Sequence, residues 1–82
     1  MNSVLLTERL IKTIVLDPDM VTVKEFPSED PKKVIIQVLV SEDDLKRVIG
    51  KGGRTINAVR TLVATNSSLH DHKYITINVE SF

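Results

Sequence analysis

The sequence predicts a single small α+β domain with the element order α-β-β-α-α-β, and three observations predict it. An amphipathic helix at the start is closed by proline. An alternating apolar run at 33–40 reads as a strand, and two helical segments meet at a turn that holds all three glycines of the chain. Eighty-two residues fit one compact domain, residues 1–82, with little room for a second core or a deep catalytic cleft. There is no cysteine, so neither a disulfide framework nor a thiolate metal site supports the fold. That composition suits a reducing cytoplasm. The first residues lack a basic segment and are soon interrupted by Thr7, Glu8 and Arg9, so neither a signal peptide nor a membrane span is expected.

The elements follow in order. Residues 4–16 place Leu6, Leu10 and Ile14 at helical spacing with Ile11 and Val15 beside them, leaving Thr7, Glu8, Arg9, Lys12 and Thr13 for the wetter face. Asn2 or Ser3 caps the start, and Asp17-Pro18-Asp19 ends the helix in a turn. Residues 20–26 are rich in β-formers and predict a first strand, and 27–32, with two prolines, an exposed loop to an antiparallel partner. In 33–40, Val34, Ile36, Val38 and Val40 share one face while Ile35 and Leu39 flank Gln37 on the other, the pattern of a central strand.

Ser41-Glu42-Asp43-Asp44 is a helix N-cap followed by acidic residues that complement the helix dipole. The short helix carries Leu45, Val48 and Ile49 and stops at Gly50, a residue suited to the left-handed conformation. Residues 54–65 form a second helix with Ile56, Val59 and Val63 on one stripe. Residues 66–71 read as a loop, and 73–79 as a last strand whose apolar face is Ile75, Ile77 and Val79. The crossover from the second to the last strand through two helices makes those strands parallel. The outcome is a three-stranded mixed sheet covered on one face by three helices.

Formal net charge is zero, which argues against coating nucleic acid by bulk electrostatics. The distribution matters more than the sum. From Leu45 to His70 there are five basic residues (Lys46, Arg47, Lys51, Arg54, Arg60) and no acidic one, while the remainder carries six basic against eleven acidic residues. The positive charge therefore surrounds Gly50-Lys51-Gly52-Gly53. A glycine turn that opens a helix lets backbone N–H groups approach an anion, phosphate foremost.

This helix, Gly-x-x-Gly, helix arrangement (Val48-Ile49-Gly50-Lys51-Gly52-Gly53, then Ile56) in an α-β-β-α-α-β chain resembles the KH domain of type II. The likeness covers nearly the whole chain, and its length and Leu-Asp-Pro-Asp turn are similar to those of the small bacterial KhpA-type proteins. The resemblance implies the type II KH fold and a non-enzymatic, cytoplasmic single-stranded RNA-binding protein, an RNA chaperone or post-transcriptional regulator. It would clamp about four nucleotides. Carried over by position, Gly50, Lys51, Gly52 and Gly53 form the phosphate clamp, and Arg54 stands at the second helix's N-terminus. Lys46, Arg47 and Arg60 track flanking phosphates, unless they belong only to a solvated helix face. Val48 or Ile49, Ile56 and part of the second or last strand are candidates for the groove floor, and the core is an equally open place for Ile49 and Ile56. Contacts with three or four phosphates would weaken binding roughly 20 to 50-fold between 50 and 200 mM salt.

Other chemistry is excluded on residue grounds. A P-loop needs four residues between its glycines and then Gly-Lys-Ser/Thr after a strand, so no nucleotide cofactor is expected. His70-Asp71-His72 offers two imidazoles without further ligands, so no metal is expected. Asp43 and Asp44 read as helix-start charges rather than a catalytic pair, and no catalytic residue is assigned. The alternative class is a protein-interaction module. Leu5, Leu16, Ile35, Leu39 and Leu62 exceed what one core needs, and the resemblance also implies a homodimer or a heterodimer with a larger KH-containing partner.

Overall fold

The computed structural model describes residues 2–70 and 72–82. Helix α1 spans Ser3–Ile14, strand β1 Thr22–Pro27, strand β2 Lys33–Val40, helix α2 Glu42–Ile49, helix α3 Arg54–His70 and strand β3 Tyr74–Ser81. Strand order is β1-β2-β3. β1 runs antiparallel to β2, with Thr22 opposite Leu39 and Pro27 opposite Val34. β3 runs parallel to β2, with Lys33 opposite Tyr74 and Val40 opposite Ser81. The α+β order, the mixed sheet and the strand directions agree with the sequence reading. The expected loop at 66–71 and the His70-Asp71-His72 run both include Asp71, which lies outside the described residues.

The core sits between the three helices and one sheet face. Val34, Ile36, Val38 and Val40 of β2 are buried there with Ile77 of β3, Ile11 and Val15, Val48 of α2, and Ile56, Val59 and Val63 of α3. Each such side chain contributes roughly 1.5–3 kcal/mol by leaving water. On the opposite face Ile35, Gln37 and Leu39 stay only half-buried, so β2 is central without being covered on both sides.

Five boundaries or faces differ from expectation. In α1 the buried stripe is Ser3, Thr7 and Ile11, whereas Leu6, Leu10 and Ile14 pack beside it half-buried. Thr7 belongs to the core side because its hydroxyl donates to the Ser3 carbonyl at 2.7 Å, which satisfies it without water. The helix ends at Ile14 rather than 16, where Val15 turns extended (φ −82°, ψ 157°). β1 begins at Thr22, because Pro18–Met20 form a single 3-10 turn. α3 runs on to His70 instead of stopping at 65. Ser67 extends the buried stripe of Val59 and Val63 and donates to the Lys73 carbonyl at 2.9 Å, so the weak helix formers at 66–68 are held by packing. β3 reaches Ser81, since pairing with β2 continues to Val40.

Candidate nucleic-acid interface

The glycine turn is presented by α2, which is anchored at its N-terminus. Ser41 caps α2 by accepting from the Asp44 N–H, and Asp44 itself is buried, 2% exposed. Its Oδ1 accepts from the Leu16 N–H at 3.0 Å and its Oδ2 from the Asp17 N–H at 3.1 Å, capping the chain as it leaves α1. Arg47 completes the cluster, donating to Oδ1 at 2.9 Å. Asp44 is therefore a bolt between α1 and α2, more than the helix-start charge expected from sequence; the Ser-x-x-Asp spacing of a capping box was the available signal. The Leu16 N–H lowers the Asp44 pKa below the usual carboxylate range against the opposing effect of burial, and Asp17, Ser41 and Arg47 lower it further.

A lowered folded-state pKa gives stability that is present above the unfolded value, about 4, and lost as pH falls through the folded value. Thermal melts of Asp44→Asn should accordingly fall below wild type at neutral pH, with the gap closing in acid. A gap of constant size across that range would remove the ionised carboxylate from the account.

At the C-terminal end of α2 the backbone enters the turn through Gly50, at φ +75° and ψ 173°. This is positive φ as expected, but in the extended region open to glycine alone rather than the left-handed helical one. A Cβ here would fall on Thr55 Oγ1 and lie 2.8 Å from Thr55 Cβ and 2.9 Å from its backbone nitrogen. Thr55 thus occupies the space that a side chain would need. Gly52, at φ +63° and ψ 19°, is the opposite case, with nothing within 4 Å of its absent Cβ.

Lys51–Gly53 form one 3-10 turn that leads directly into α3, closed by the Gly53 N–H donating to the Gly50 carbonyl at 3.1 Å and the Arg54 N–H donating to the Lys51 carbonyl. The Lys51 and Gly52 N–H groups precede the first bond of that turn, and helix geometry supplies them no carbonyl. They form an anion-binding tip beside the Lys51 ammonium.

The basic residues named from sequence divide into two groups. Lys46, Lys51 and Arg54 are exposed and take part in none of the ion pairs among the described residues, where Glu8–Lys12 and Asp44–Arg47 are the pairs formed. Arg47 is committed to Asp44, and Arg60 donates Nε at 3.3 Å and one terminal nitrogen at 3.1 Å to the Ile77 carbonyl, with its other terminal nitrogen on Asn57 Oδ1 at 3.0 Å. Of the groove candidates, Val48 and Ile56 are core residues, 0% and 4% exposed, while Ile49 is 38% exposed beside the turn.

A groove does exist, on the far side of α3. Between α3 and the outer edge of β3 runs an open cleft of about 480 Å³, lined by Arg60, Thr61, Ala64, Ile75, Ile77 and Asn78. Arg60 lies about 9 Å along α3 from Arg54. Asn57 links turn to cleft: its amide nitrogen is 3.6 Å from the Gly53 Cβ position and its oxygen holds Arg60. Of the floor candidates, the last strand is the one that lines this cleft, without Val48, Ile49 or Ile56. β3 as an edge strand beside α3 follows from the right-handed crossover, and the residues it brings to the cleft are Ile75 and Ile77.

Comparison with known proteins places this geometry in context. Residues 5–79 match the model of the KhpA/KhpB, KH domain family. The chain is 39% identical over 74 residues to the RNA-binding protein KhpA of Thermotoga maritima, covering 90% of this chain and 93% of that one. To the protein of that name from Mycobacterium tuberculosis it is 49% identical over 57 residues, 70% and 69% of the two chains. Among solved structures, Aquifex aeolicus Era superposes with a TM-score of 0.73 at 16% identity, over 98% of this chain and 30% of that one. Era in complex with MgGDPNP and a 16S ribosomal RNA segment gives 0.69 at 15% identity, over 96% and 29%. The likeness to Era is one of fold, and this chain spans less than a third of it.

Proposed function

Because the chain belongs to the KhpA/KhpB KH-domain family, we propose that it binds single-stranded RNA in the cytoplasm, as a chaperone or post-transcriptional regulator, and catalyses no reaction of its own. The observation that carries this reading is the 50–53 turn, with two amides that helix geometry leaves without a carbonyl and a lysine that forms no ion pair among the described residues, at the mouth of a helix. Gly50, Lys51, Gly52 and Gly53 hold one phosphate, and Lys46 and Arg54 meet its neighbours. Bases lie along the α3–β3 cleft. About four nucleotides are engaged.

Electrostatics then sets how tightly one copy grips. With Arg47 and Arg60 already partnered, three of the five cations around the turn form no ion pair among the described residues, and a single-strand slope near −0.7 per phosphate gives an affinity loss of about 20-fold between 50 and 200 mM salt. Fluorescence anisotropy of a short labelled RNA across that range measures it. Salt-independent binding would exclude a phosphate clamp.

Exposed apolar residues favour a second, compatible property. Leu62 and Leu69, 55% and 69% exposed, stand seven residues apart on α3, and we place there the contact of a homodimer or of a larger KH-containing partner. Two weak clamps joined in this way act at raised effective concentration. Sedimentation should find wild type self-associating and Leu62→Glu monomeric, whereas equal behaviour of the two removes α3 as the contact.

A further inference from the structure

Arg60 does more in the cleft than add charge, and what it does follows from the edge of β3. N–H and C=O groups of a strand residue point to the same side, and the side alternates along the strand. Tyr74 and Phe82 turn their N–H groups toward β2, donating to the Lys32 and Val40 carbonyls at 2.7 and 3.0 Å. Ile75, Ile77 and Val79 therefore turn both groups outward, those of Ile75 and Ile77 into the cleft. An open strand residue offers one donor and one acceptor side by side, the complement of adenine, whose N1 and N7 acceptors each neighbour the 6-amino donor.

At Ile77 the acceptor is not open, because two nitrogens of Arg60 already donate to it. Asn57 Oδ1 fixes the third nitrogen, so the guanidinium is held at both ends. Of its five N–H donors three are used and two remain. Together with the Ile77 N–H they leave donors only at this register of the strand, whereas Ile75 on the same edge keeps its donor beside its acceptor. A neutral base amine is a poor competitor for a carbonyl that already accepts charge-assisted bonds.

Resting on the reading of this cleft as the base site, we infer that Arg60 is a specificity-determining residue that turns the Ile77 position of the groove against adenine. It favours bases with two neighbouring acceptors, such as the O6 and N7 of a 6-oxopurine. Removing Arg60 frees the Ile77 carbonyl and restores the pair that adenine matches.

The test compares two oligouridylates that differ in one purine, adenosine or inosine, which exchanges the 6-amino group for 6-oxo. Wild type should bind the inosine probe about five-fold more tightly. Arg60→Met, which keeps an unbranched stem but no donors, should bind both more weakly and reverse the order. Arg60→Lys, retaining charge without the fork, should lose the inosine preference. The ratio of the two affinities is the readout, since a general loss of charge or folding does not move it. Equal or tighter binding of the adenosine probe by wild type, or an unchanged ratio in Arg60→Met, overturns the inference. Failure of wild type to bind either probe at low salt contradicts RNA binding itself.

Discussion

Gly50→Ala unfolds at a temperature roughly 15–20 °C below wild type, an expected loss of about 3 kcal/mol. Two costs combine. The backbone at φ +75°, ψ 173° is one that side chains avoid, and the new methyl group meets the Thr55 side chain and backbone nitrogen, fixed at the start of α3. Relief requires α2 and α3 to separate, which also displaces the Lys51 and Gly52 amides, so phosphate affinity falls with stability. Gly52→Ala is the matched control. Its methyl projects into open space and its φ +63°, ψ 19° costs about 1 kcal/mol, so calorimetry should rank the two variants far apart. Equal melting temperatures would mean that Thr55 does not hold the turn shut.

The contrast between those glycines also marks what the sequence makes legible. Three glycines beside basic charge announce a phosphate turn, and the Val34-Ile36-Val38-Val40 alternation announces the central strand, because both are local patterns read within one element. The crossover rule then orders the sheet. What stays hidden depends on partners distant in sequence. Asp44 meets Leu16, 28 residues away, and Arg60 meets Ile77, 17 away, so neither its burial in the one case nor its commitment in the other follows from helical spacing. Thr7 is hidden for a related reason, since a hydroxyl satisfied by its own helix is as buriable as a valine and composition scores it as polar. Helix α3 outruns its sequence signal because Ser67 is held by tertiary packing and by a carbonyl beyond the helix.

The second large effect is on binding alone. Lys51→Asp with Gly52→Asp changes the tip by three charge units and points two carboxylates at the site of the phosphate. The loss of affinity should be about 100-fold, or about 2.7 kcal/mol. The fold should survive, because Lys51 is exposed, the Gly52 Cβ position is unobstructed, and aspartate tolerates positive φ better than most residues. Stability and affinity therefore separate here, where in Gly50→Ala they fall together. The most direct measurement follows backbone amide NMR shifts while a short single-stranded RNA is titrated into wild type and into this double variant. In wild type the perturbed amides should be those of 50–54, with Ile75 and Ile77 on the β3 edge, and the double variant should show a native spectrum that the RNA leaves unchanged. Wild-type shifts confined to the uncovered sheet face around Lys24 and Gln37, or equal titration of both proteins, would contradict a phosphate clamp at the glycine turn.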